Sequence, residues 1–221
     1  MVATMTDYRA ERDAMVERQL RQRGIVDPGI LAAFRAVPRE AFVDVQHAHL
    51  AYGDHPLPIA GGQTISQPYI VALMIEAARV GLGTKVLEVG SGSGYAAAVV
   101  SRIAASVIGI ERQAELVALS RQRLRRLGYD NVEIVEGDGT RGWPEQAPYD
   151  AIIVAASGSH LPQPLLDQLR PGGRLVMPLG GPGWMQKLVS VFKRDDGSFD
   201  KSDLGAVRFV PLIGDEGWRE E

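Results

Sequence analysis

The sequence predicts a doubly wound α/β fold: a mostly parallel sheet with helices on both faces, an antiparallel hairpin at one edge and a helical N-terminal addition. From residue 85 onward, short apolar segments alternate with helical ones, as in parallel strands joined by right-handed crossovers. A glycine-rich turn follows the first of these strands. The chain has 221 residues and is 45% hydrophobic, which is enough to bury the core of one domain.

Short apolar segments mark the strands of this sheet, and segments with helical periodicity lie between them. The parallel strands are predicted at residues 85–89, 106–110, 132–135, 149–154 and 174–177, with helices at 95–104, 113–127 and 161–169. Strands at 188–192 and 207–210, joined by a polar turn around 195–202, are predicted to form the antiparallel hairpin.

Residues 1–82 are predicted to be a mostly helical lead-in and residues 83–221 the α/β domain, together forming one compact unit. Asp27-Pro28 begins one helix of the lead-in, because aspartate caps a helix and proline suits its first turn. Ser66-Gln67-Pro68 begins another. Residues 51–67 are rich in glycine and proline, which predicts a loop of the ordered kind that often carries function.

Composition excludes several kinds of site. The chain contains no cysteine, which excludes disulfides, cysteine-based zinc sites and a thiol nucleophile, and we expect no metal. The formal net charge is −3, and the arginines within residues 121–126 fit a solvated helix face, so we expect no nucleic-acid partner. Neither a signal-like N-terminus nor a long apolar segment occurs, which predicts a cytoplasmic protein without a membrane anchor. We also expect a monomer.

The turn after the first strand reads Gly90-Ser91-Gly92-Ser93-Gly94. Glycine takes positive φ and lets a ligand approach the backbone closely, and the helix that follows has free N–H groups at its start. A dinucleotide-binding fingerprint would need a third glycine where Tyr95 stands, and a P-loop would need a Lys followed by Ser or Thr. A tight turn without any ligand is an alternative that the glycines alone leave open.

Two acidic residues at neighbouring strand ends favour a nucleoside ligand. Glu111 ends the second strand about 20 residues past Gly90, where an acid accepts hydrogen bonds from ribose hydroxyls. Asp138 follows the third strand, where it can accept a hydrogen bond from an adenine amino group. Either acid alone is more often a surface residue, but with the glycine turn they occupy three successive strand ends. These residues leave open which adenosine ligand binds.

Together with Pro171-Gly172-Gly173-Arg174, these segments resemble the successive motifs of class I methyltransferases. The resemblance implies that the cofactor is S-adenosylmethionine, with its ribose at Glu111, its adenine at Asp138 and its methionine end at residues 90–92. Enzymes of this class that methylate base amines resemble one another in an Asn/Asp-Pro-Pro-aromatic segment, whereas this chain has Val154-Ala155-Ala156-Ser157 there. A protein or small-molecule acceptor is therefore favoured.

The loop before the sheet is similar to that of the protein-L-isoaspartate O-methyltransferase family. The most specific segment is Gly62-Gln63-Thr64-Ile65-Ser66-Gln67-Pro68, and residues 137–142 and 207–212 also match, in a similarity that runs from about residue 13 to about residue 212. It implies transfer of the methyl group of S-adenosylmethionine to the free α-carboxylate of L-isoaspartyl residues in damaged proteins and peptides, which initiates their repair. D-Aspartyl residues are a second candidate substrate.

The same resemblance assigns residues to the site. It implies Ser66 as the catalytic residue, with Thr64, Ser66, Val207 and Arg208 binding the substrate. The implied cofactor-binding residues are Gln67, Glu88, Gly90, Ser91, Gly92, Glu111, Asp138 and Gly139. A carboxylate acceptor is already ionised at pH 7, so no general base is needed and hydroxyl groups can orient it. Ser66 has a second interpretation, as the cap of the following helix.

Two other functions share part of these features. A methyltransferase with a small-molecule or RNA acceptor would carry the same cofactor motifs, and an adenosine-binding module that had lost its activity would keep them as well. Incubation with labelled cofactor and an isoaspartyl peptide, compared with its aspartyl twin and with RNA, separates the three.

Overall fold

The computed structural model describes residues 8–181 and 183–219. Its helices are α1 (Arg9–Met15), α2 (Pro28–Ala36), α3 (Pro68–Ala77), α4 (Tyr95–Ser101), α5 (Ala114–Arg126) and α6 (Gln163–Asp167). Its strands are β1 (Leu57–Pro58), β2 (Thr64–Ile65), β3 (Lys85–Val89), β4 (Ser106–Glu111), β5 (Val132–Glu136), β6 (Tyr149–Val154), β7 (Leu169–Leu179), β8 (Gln186–Lys193) and β9 (Phe199–Val207).

Strands β3 to β9 form a seven-stranded sheet in the order β5-β4-β3-β6-β7-β8-β9. The first five strands in this order pair in parallel, and β8 and β9 add antiparallel pairs at the far edge. The strand order reverses between β3 and β6, and ligands of open α/β sheets bind at such a point, outside the carboxyl ends of the strands.

Neighbouring residues of each strand contribute to two different cores. Val86 and Ile153 face one side of the sheet, where they pack with apolar residues of α1 to α5. Leu87 and Ile152 face the opposite side, where they pack with α6 and its surroundings. Each fully buried side chain of this size stabilises the fold by about 1.5–3 kcal/mol. The predicted doubly wound sheet with helices on both faces is thereby confirmed.

The lead-in is helical, as predicted, with some irregular turns. α1 continues through a π-helical turn (Val16–Leu20) and a 3₁₀ turn (Arg21–Arg23). α2 begins as the sequence indicates, because the Asp27 carboxylate accepts a hydrogen bond from the Ile30 N–H at 2.9 Å. No helix among the described residues has the length and apolar character needed to cross a bilayer.

The loop at residues 51–67 contains a short antiparallel ribbon of β1 and β2, in which Leu57 pairs with Ile65. The tip of this ribbon is hydrogen-bonded to the α/β domain, since the Gln113 side chain donates to the Gly61 carbonyl at 3.2 Å. Gln113 lies just before α5, beyond the carboxyl end of β4. The ribbon therefore holds the end of the loop over that edge of the sheet.

Two helix predictions were too long. α4 ends at Ser101, where the sequence predicts a helix to residue 104. α6 ends at Asp167 and β7 begins at Leu169, so the predicted helix at 161–169 overlaps a strand. Leu169 pairs with Tyr149 ahead of a register shift in the β6–β7 ladder, and Pro171-Gly172-Gly173 lies within that irregular start of β7.

The antiparallel hairpin is confirmed, but its second strand was predicted wrongly. β9 spans Phe199–Val207, whereas the sequence predicts a turn at 195–202 and a strand at 207–210. The observed turn is closed by the Arg194 N–H, which donates to the Ser198 carbonyl at 2.8 Å. β9 is an edge strand whose residues are mostly exposed, so it lacks the apolar alternation that a half-buried strand shows.

Candidate active site

The turn between β3 and α4 has the backbone that its glycines indicate. Gly90 and Gly92 have φ of 83° and 51°, a region that favours glycine. The N–H groups of Gly90 and Ser91 both donate to the Ile110 carbonyl, at 2.9 and 3.1 Å. These bonds fix the turn against the end of β4, so that its residues line a cleft at the switch point of the sheet.

Glu111 lies at the end of β4 and is buried, with one edge in this cleft. Its Oε2 accepts a hydrogen bond from the Gly92 N–H at 3.0 Å, and its Oε1 accepts one from the Gln113 N–H at 3.0 Å. The carboxylate is therefore held rigidly, and each oxygen retains a lone pair for a further donor. Two adjacent hydroxyl groups, such as those of a ribose, match this arrangement.

Glu88 is the second carboxyl group that lines the cleft, and it is 2% exposed. Burial is the main cause that raises its pKa to about 8, and the charge of Glu111 adds to it. The nearby Ser91 hydroxyl and Ala97 amide oppose this rise. Oε2 of Glu88 has no hydrogen-bond partner in the described part of the chain. A buried acceptor of this kind suits a cationic or hydrogen-bonding ligand group.

The end of β5 contributes Gly139 to the cleft but not Asp138. A Cβ at Gly139 would lie 2.4 Å from Cγ1 of Val89 at the end of β3, so only glycine fits at this position. The carboxylate of Asp138 accepts hydrogen bonds from the N–H groups of Thr140 at 2.9 Å and Asp215 at 2.8 Å. Among the described residues, Oδ2 accepts only the bond from Asp215, so it retains a lone pair, and the contact with adenine stays a prediction.

The opposite wall of the cleft comes from residues that the sequence analysis did not assign to the site. Val71, Met74 and Ile75 of α3 line it, and Leu212 and Ile213 close it from the C-terminal side. The α3 residues recur at helical i, i+3, i+4 spacing, which sequence reasoning treats as core. The only available signal was the position of this helix directly after the loop that contains Ser66.

A groove adjoins the cleft and brings together the predicted substrate-binding residues. Thr64, Ser66, Val207 and Arg208 all line it, although about 140 residues separate the two pairs in the sequence. Ser66 is partly buried and Arg208 is exposed. The two cavities share four lining residues, which are Thr64, Ser66, Ala155 and Val210.

The hydroxyl of Ser66 does not cap α3. The N-cap position is Gln67, and the helix has no side-chain cap, so capping leaves the Ser66 hydroxyl available to the groove. Gln67 itself lies in the groove and not in the cleft, where its amide nitrogen donates to the Asp54 carbonyl at 3.1 Å. This placement associates Gln67 with the groove, and its predicted contact with the cofactor stays a prediction.

Groups of three or more histidine, cysteine, aspartate or glutamate side chains suited to a metal ion do not occur within residues 8–181 and 183–219. His55 is exposed and lines neither cavity. The polar groups of the cleft and groove include the two buried carboxyl groups, the backbone of the glycine turn and the hydroxyl groups of the loop.

A parallel sheet with this strand order, a glycine turn after β3 and a strand-end carboxylate on β4 defines a class I methyltransferase. A family model described as protein-L-isoaspartate(D-aspartate) O-methyltransferase matches residues 10–217. The chain belongs to this family.

Individual relatives agree with the family match. A protein-L-isoaspartate O-methyltransferase 2 of Pelobacter propionicus is 57% identical over 212 residues, which cover 96% of this chain and 93% of the relative. A protein-L-isoaspartate O-methyltransferase of Methanoculleus marisnigri is 51% identical, with 96% of both chains covered.

Solved structures are similar over nearly the whole fold. A chain described as protein-L-isoaspartate O-methyltransferase superposes with a TM-score of 0.83 at 31% identity, over 93% of this chain and 67% of the other. A Plasmodium falciparum chain with the same description, in complex with S-adenosyl-L-homocysteine, has a TM-score of 0.79 at 29% identity, over 91% and 98% of the two chains.

Proposed function

We propose that this protein transfers the methyl group of S-adenosylmethionine to the free α-carboxylate of L-isoaspartyl residues in damaged proteins and peptides, and thereby initiates their repair. D-Aspartyl residues are included as a second substrate. The observation that carries the proposal is the shared wall of the cleft and the groove: Thr64 and Ser66 line both. A methyl donor in the cleft and a carboxylate in the groove would meet there.

The cleft residues fit an adenosyl cofactor. The proposed contacts are the ribose with Glu111, the methionine end with the turn that contains Gly90, Ser91 and Gly92, and one face of the nucleoside with Gly139. Glu88 supplies the buried acceptor that a positively charged methionine end needs, because its Oε2 lacks a hydrogen-bond partner among the residues that the structure describes. S-Adenosylmethionine supplies an electrophilic methyl group on a sulfonium when bound.

The groove residues orient the acceptor. The α-carboxylate is ionised at pH 7, so Ser66 need not remove a proton and acts by hydrogen bonding. Thr64 supplies a second hydroxyl donor, and neither donor neutralises the carboxylate as an ion pair would. Val207 and Arg208 lie along the peptide backbone of the substrate. Catalysis in this proposal comes mainly from proximity and alignment of the oxygen with the methyl carbon.

A labelled-methyl assay tests this function. The protein is incubated with methyl-labelled S-adenosylmethionine and an isoaspartyl peptide, its aspartyl twin, a D-aspartyl peptide or RNA. Base-labile label in the isoaspartyl peptide but not in the aspartyl twin is expected. Label in RNA, or no label despite binding of S-adenosylhomocysteine, would overturn the proposal.

Ser66→Ala tests the assigned residue within the same assay. Turnover is expected to fall by about tenfold or more, since one orienting hydrogen bond is lost, while the affinity for S-adenosylhomocysteine stays the same. Ser198→Ala is the matched control, because Ser198 lies in the turn at the opposite end of the β8–β9 hairpin. Equal turnover of both variants would remove Ser66 from the site.

The proposal extends to a monomeric enzyme of the cytoplasm without a nucleic-acid partner. The formal net charge of −3 supports the lack of a nucleic-acid partner, because nucleic-acid-binding proteins usually present a basic surface. Sedimentation at micromolar concentration tests whether the protein is a monomer. A mass of about twice 23.9 kDa would contradict this.

A further inference from the structure

We propose that Gln113 is a positioning residue that fixes the substrate loop relative to the cofactor site. The substrate loop is residues 51–67, which contain Thr64 and Ser66. This inference rests on the proposed function, in which Glu111 binds the ribose and the two hydroxyl groups orient the acceptor carboxylate. Gln113 contacts both parts of the site, through its backbone with Glu111 and through its side chain with the tip of the loop.

The backbone of Gln113 belongs to the cofactor side. Its N–H donates to Oε1 of Glu111 at 3.0 Å, while the Gly92 N–H donates to Oε2 at 3.0 Å. Its carbonyl accepts a hydrogen bond from the Val117 N–H at 3.0 Å, at the start of α5. The backbone of Gln113 is therefore held on one side by the strand-end carboxylate and on the other side by a helix.

The side chain of Gln113 reaches the tip of the substrate loop. Its Nε2 donates to the Gly61 carbonyl at 3.2 Å. The contact is close, because a Cβ on Gly61 would lie 1.8 Å from Oε1 of Gln113. Gly61 also has φ of 64°, a conformation that favours glycine. The side-chain amide of Gln113 thus packs directly on the bend of the loop.

The tip is a short turn that leads directly into Thr64, the first residue of β2. The Ile59 N–H donates to the Gln63 carbonyl at 2.9 Å and closes the turn. Ile59 is buried and packs on the glycine turn, since a Cβ on Gly92 would lie 3.3 Å from its Cδ1. A displacement of the tip would therefore move the hydroxyl groups of Thr64 and Ser66 relative to the cleft.

The two contacts of Gln113 can be separated by mutation. Truncation of the side chain removes the bond to Gly61 but leaves the backbone N–H that donates to Glu111. Gln113 lines the cleft and not the groove, so its side chain can act on an acceptor in the groove only through the loop. Because methyl transfer depends on alignment of the acceptor oxygen, loss of this bond should slow the reaction and leave the cofactor affinity unchanged.

Two variants break the contact from opposite sides, and each has a matched control. Gln113→Ala removes the amide, and Gly61→Ala pushes the amide aside. Gly62→Ala introduces the same kind of backbone strain, at φ of 67°, but its Cβ would meet no atom of the described residues within 4 Å. Gln146→Ala removes an amide that donates to Glu133 at 3.0 Å, ahead of β6 and away from the cleft. Circular dichroism verifies that all variants are folded.

The first readout combines turnover with cofactor affinity. Gln113→Ala and Gly61→Ala are expected to lower kcat/KM for the isoaspartyl peptide about threefold to tenfold relative to their controls, which is the effect of one hydrogen bond. The dissociation constant of S-adenosylhomocysteine is expected to stay the same. The double variant should lose no more than the more affected single variant, because both changes break one contact.

Two results of these assays would overturn the proposal. The first is turnover in Gln113→Ala and Gly61→Ala equal to that of the controls. The second is weaker binding of S-adenosylhomocysteine in Gln113→Ala together with unaltered turnover in Gly61→Ala relative to Gly62→Ala, which would mean that the Gln113 side chain contacts the cofactor directly.

The second readout is hydrogen exchange of the ligand-free protein. The amides of Ile59 and Gln63 are expected to exchange faster in Gln113→Ala than in the wild type or in Gln146→Ala, because the tip loses its attachment to the start of α5. Unchanged exchange would refute the positioning role whether or not a ligand binds. Failure of the wild type to methylate the isoaspartyl peptide would instead refute the proposed function.

Discussion

Replacement of Glu88 by glutamine tests the electrostatics of the cleft. Burial raises the pKa of Glu88 from 4.5 to about 8 in the folded protein. Since the neutral form is favoured by the fold, its contribution to stability is fully present below pH 4.5 and is lost as the pH rises through 8. Each pH unit in this window lowers the free energy of unfolding by about 1.4 kcal/mol, so the loss from pH 5 to pH 8 is about 4 kcal/mol.

Glutamine has nearly the same shape as protonated glutamate and has no proton to lose. The free energy of unfolding of Glu88→Gln, relative to the wild type, is therefore expected to increase by about 4 kcal/mol between pH 5 and pH 8. For a chain of this size that difference corresponds to roughly 10 °C in Tm. Urea unfolding and thermal scans of the ligand-free proteins at each pH unit measure it.

Glu136→Gln is the matched control for this experiment. Glu136 ends β5 at the same edge of the sheet, and its side chain is exposed, so the exchange of glutamate for glutamine occurs there without burial. The difference between the two variants then isolates the buried site. Parallel pH dependence of stability in Glu88→Gln and the wild type would refute the reasoning, because it would mean that Glu88 ionises in the fold as easily as in the unfolded chain.

Four further outcomes are expected. The affinity for S-adenosylmethionine should rise with pH up to about 8, because a bound cation favours ionised Glu88; a pH-independent Kd, or equal dependence in Glu88→Gln, would contradict this. Glu111→Ala should weaken binding of S-adenosylhomocysteine by about tenfold or more in calorimetry, and unchanged affinity would displace the ribose assignment. Gly109→Ala should lower the free energy of unfolding by about 1–3 kcal/mol, since a Cβ would lie 2.3 Å from the Ser91 hydroxyl, and an unchanged urea midpoint would count against this packing. Asn131→Ala should lower the free energy of unfolding by about 1 kcal/mol, because its amide nitrogen donates to the carbonyl of Ser101, the last residue of α4, at 2.9 Å; equal thermal stability would show that this bond contributes nothing.

The parallel part of the sheet could be predicted because its strands are buried on both faces. β3 and β6 consist almost wholly of buried residues, and such strands appear in the sequence as continuous apolar segments. The common location of the glycine turn and Glu111 follows directly from this prediction, because the carboxyl ends of adjacent parallel strands lie at one edge of the sheet. The local sequence therefore determines this half of the site.

The remaining parts depend on contacts between distant segments. β9 is polar and gains its strand conformation from pairing with β8, which no local pattern reveals. Asp138 has the sequence position of an adenine ligand, and its carboxylate also accepts a hydrogen bond from the N–H of Asp215, 77 residues away, which no local pattern reveals. The division into residues 1–82 and 83–221, and the roles of individual site residues, stay predictions.

The meeting point of the cleft and the groove limits what the enzyme can methylate. Thr64, Ser66, Ala155 and Val210 line both cavities, and a Cβ on Gly90 would lie 3.8 Å from Ala155. Small side chains here leave room for an acceptor oxygen close to the glycine turn, and they offer neither an aromatic surface nor an amide to grip a base. A carboxylate needs only the two hydroxyl groups of the loop, Thr64 and Ser66, to be oriented at this point. The same residues that bring the reactants together thus favour a flexible peptide acceptor.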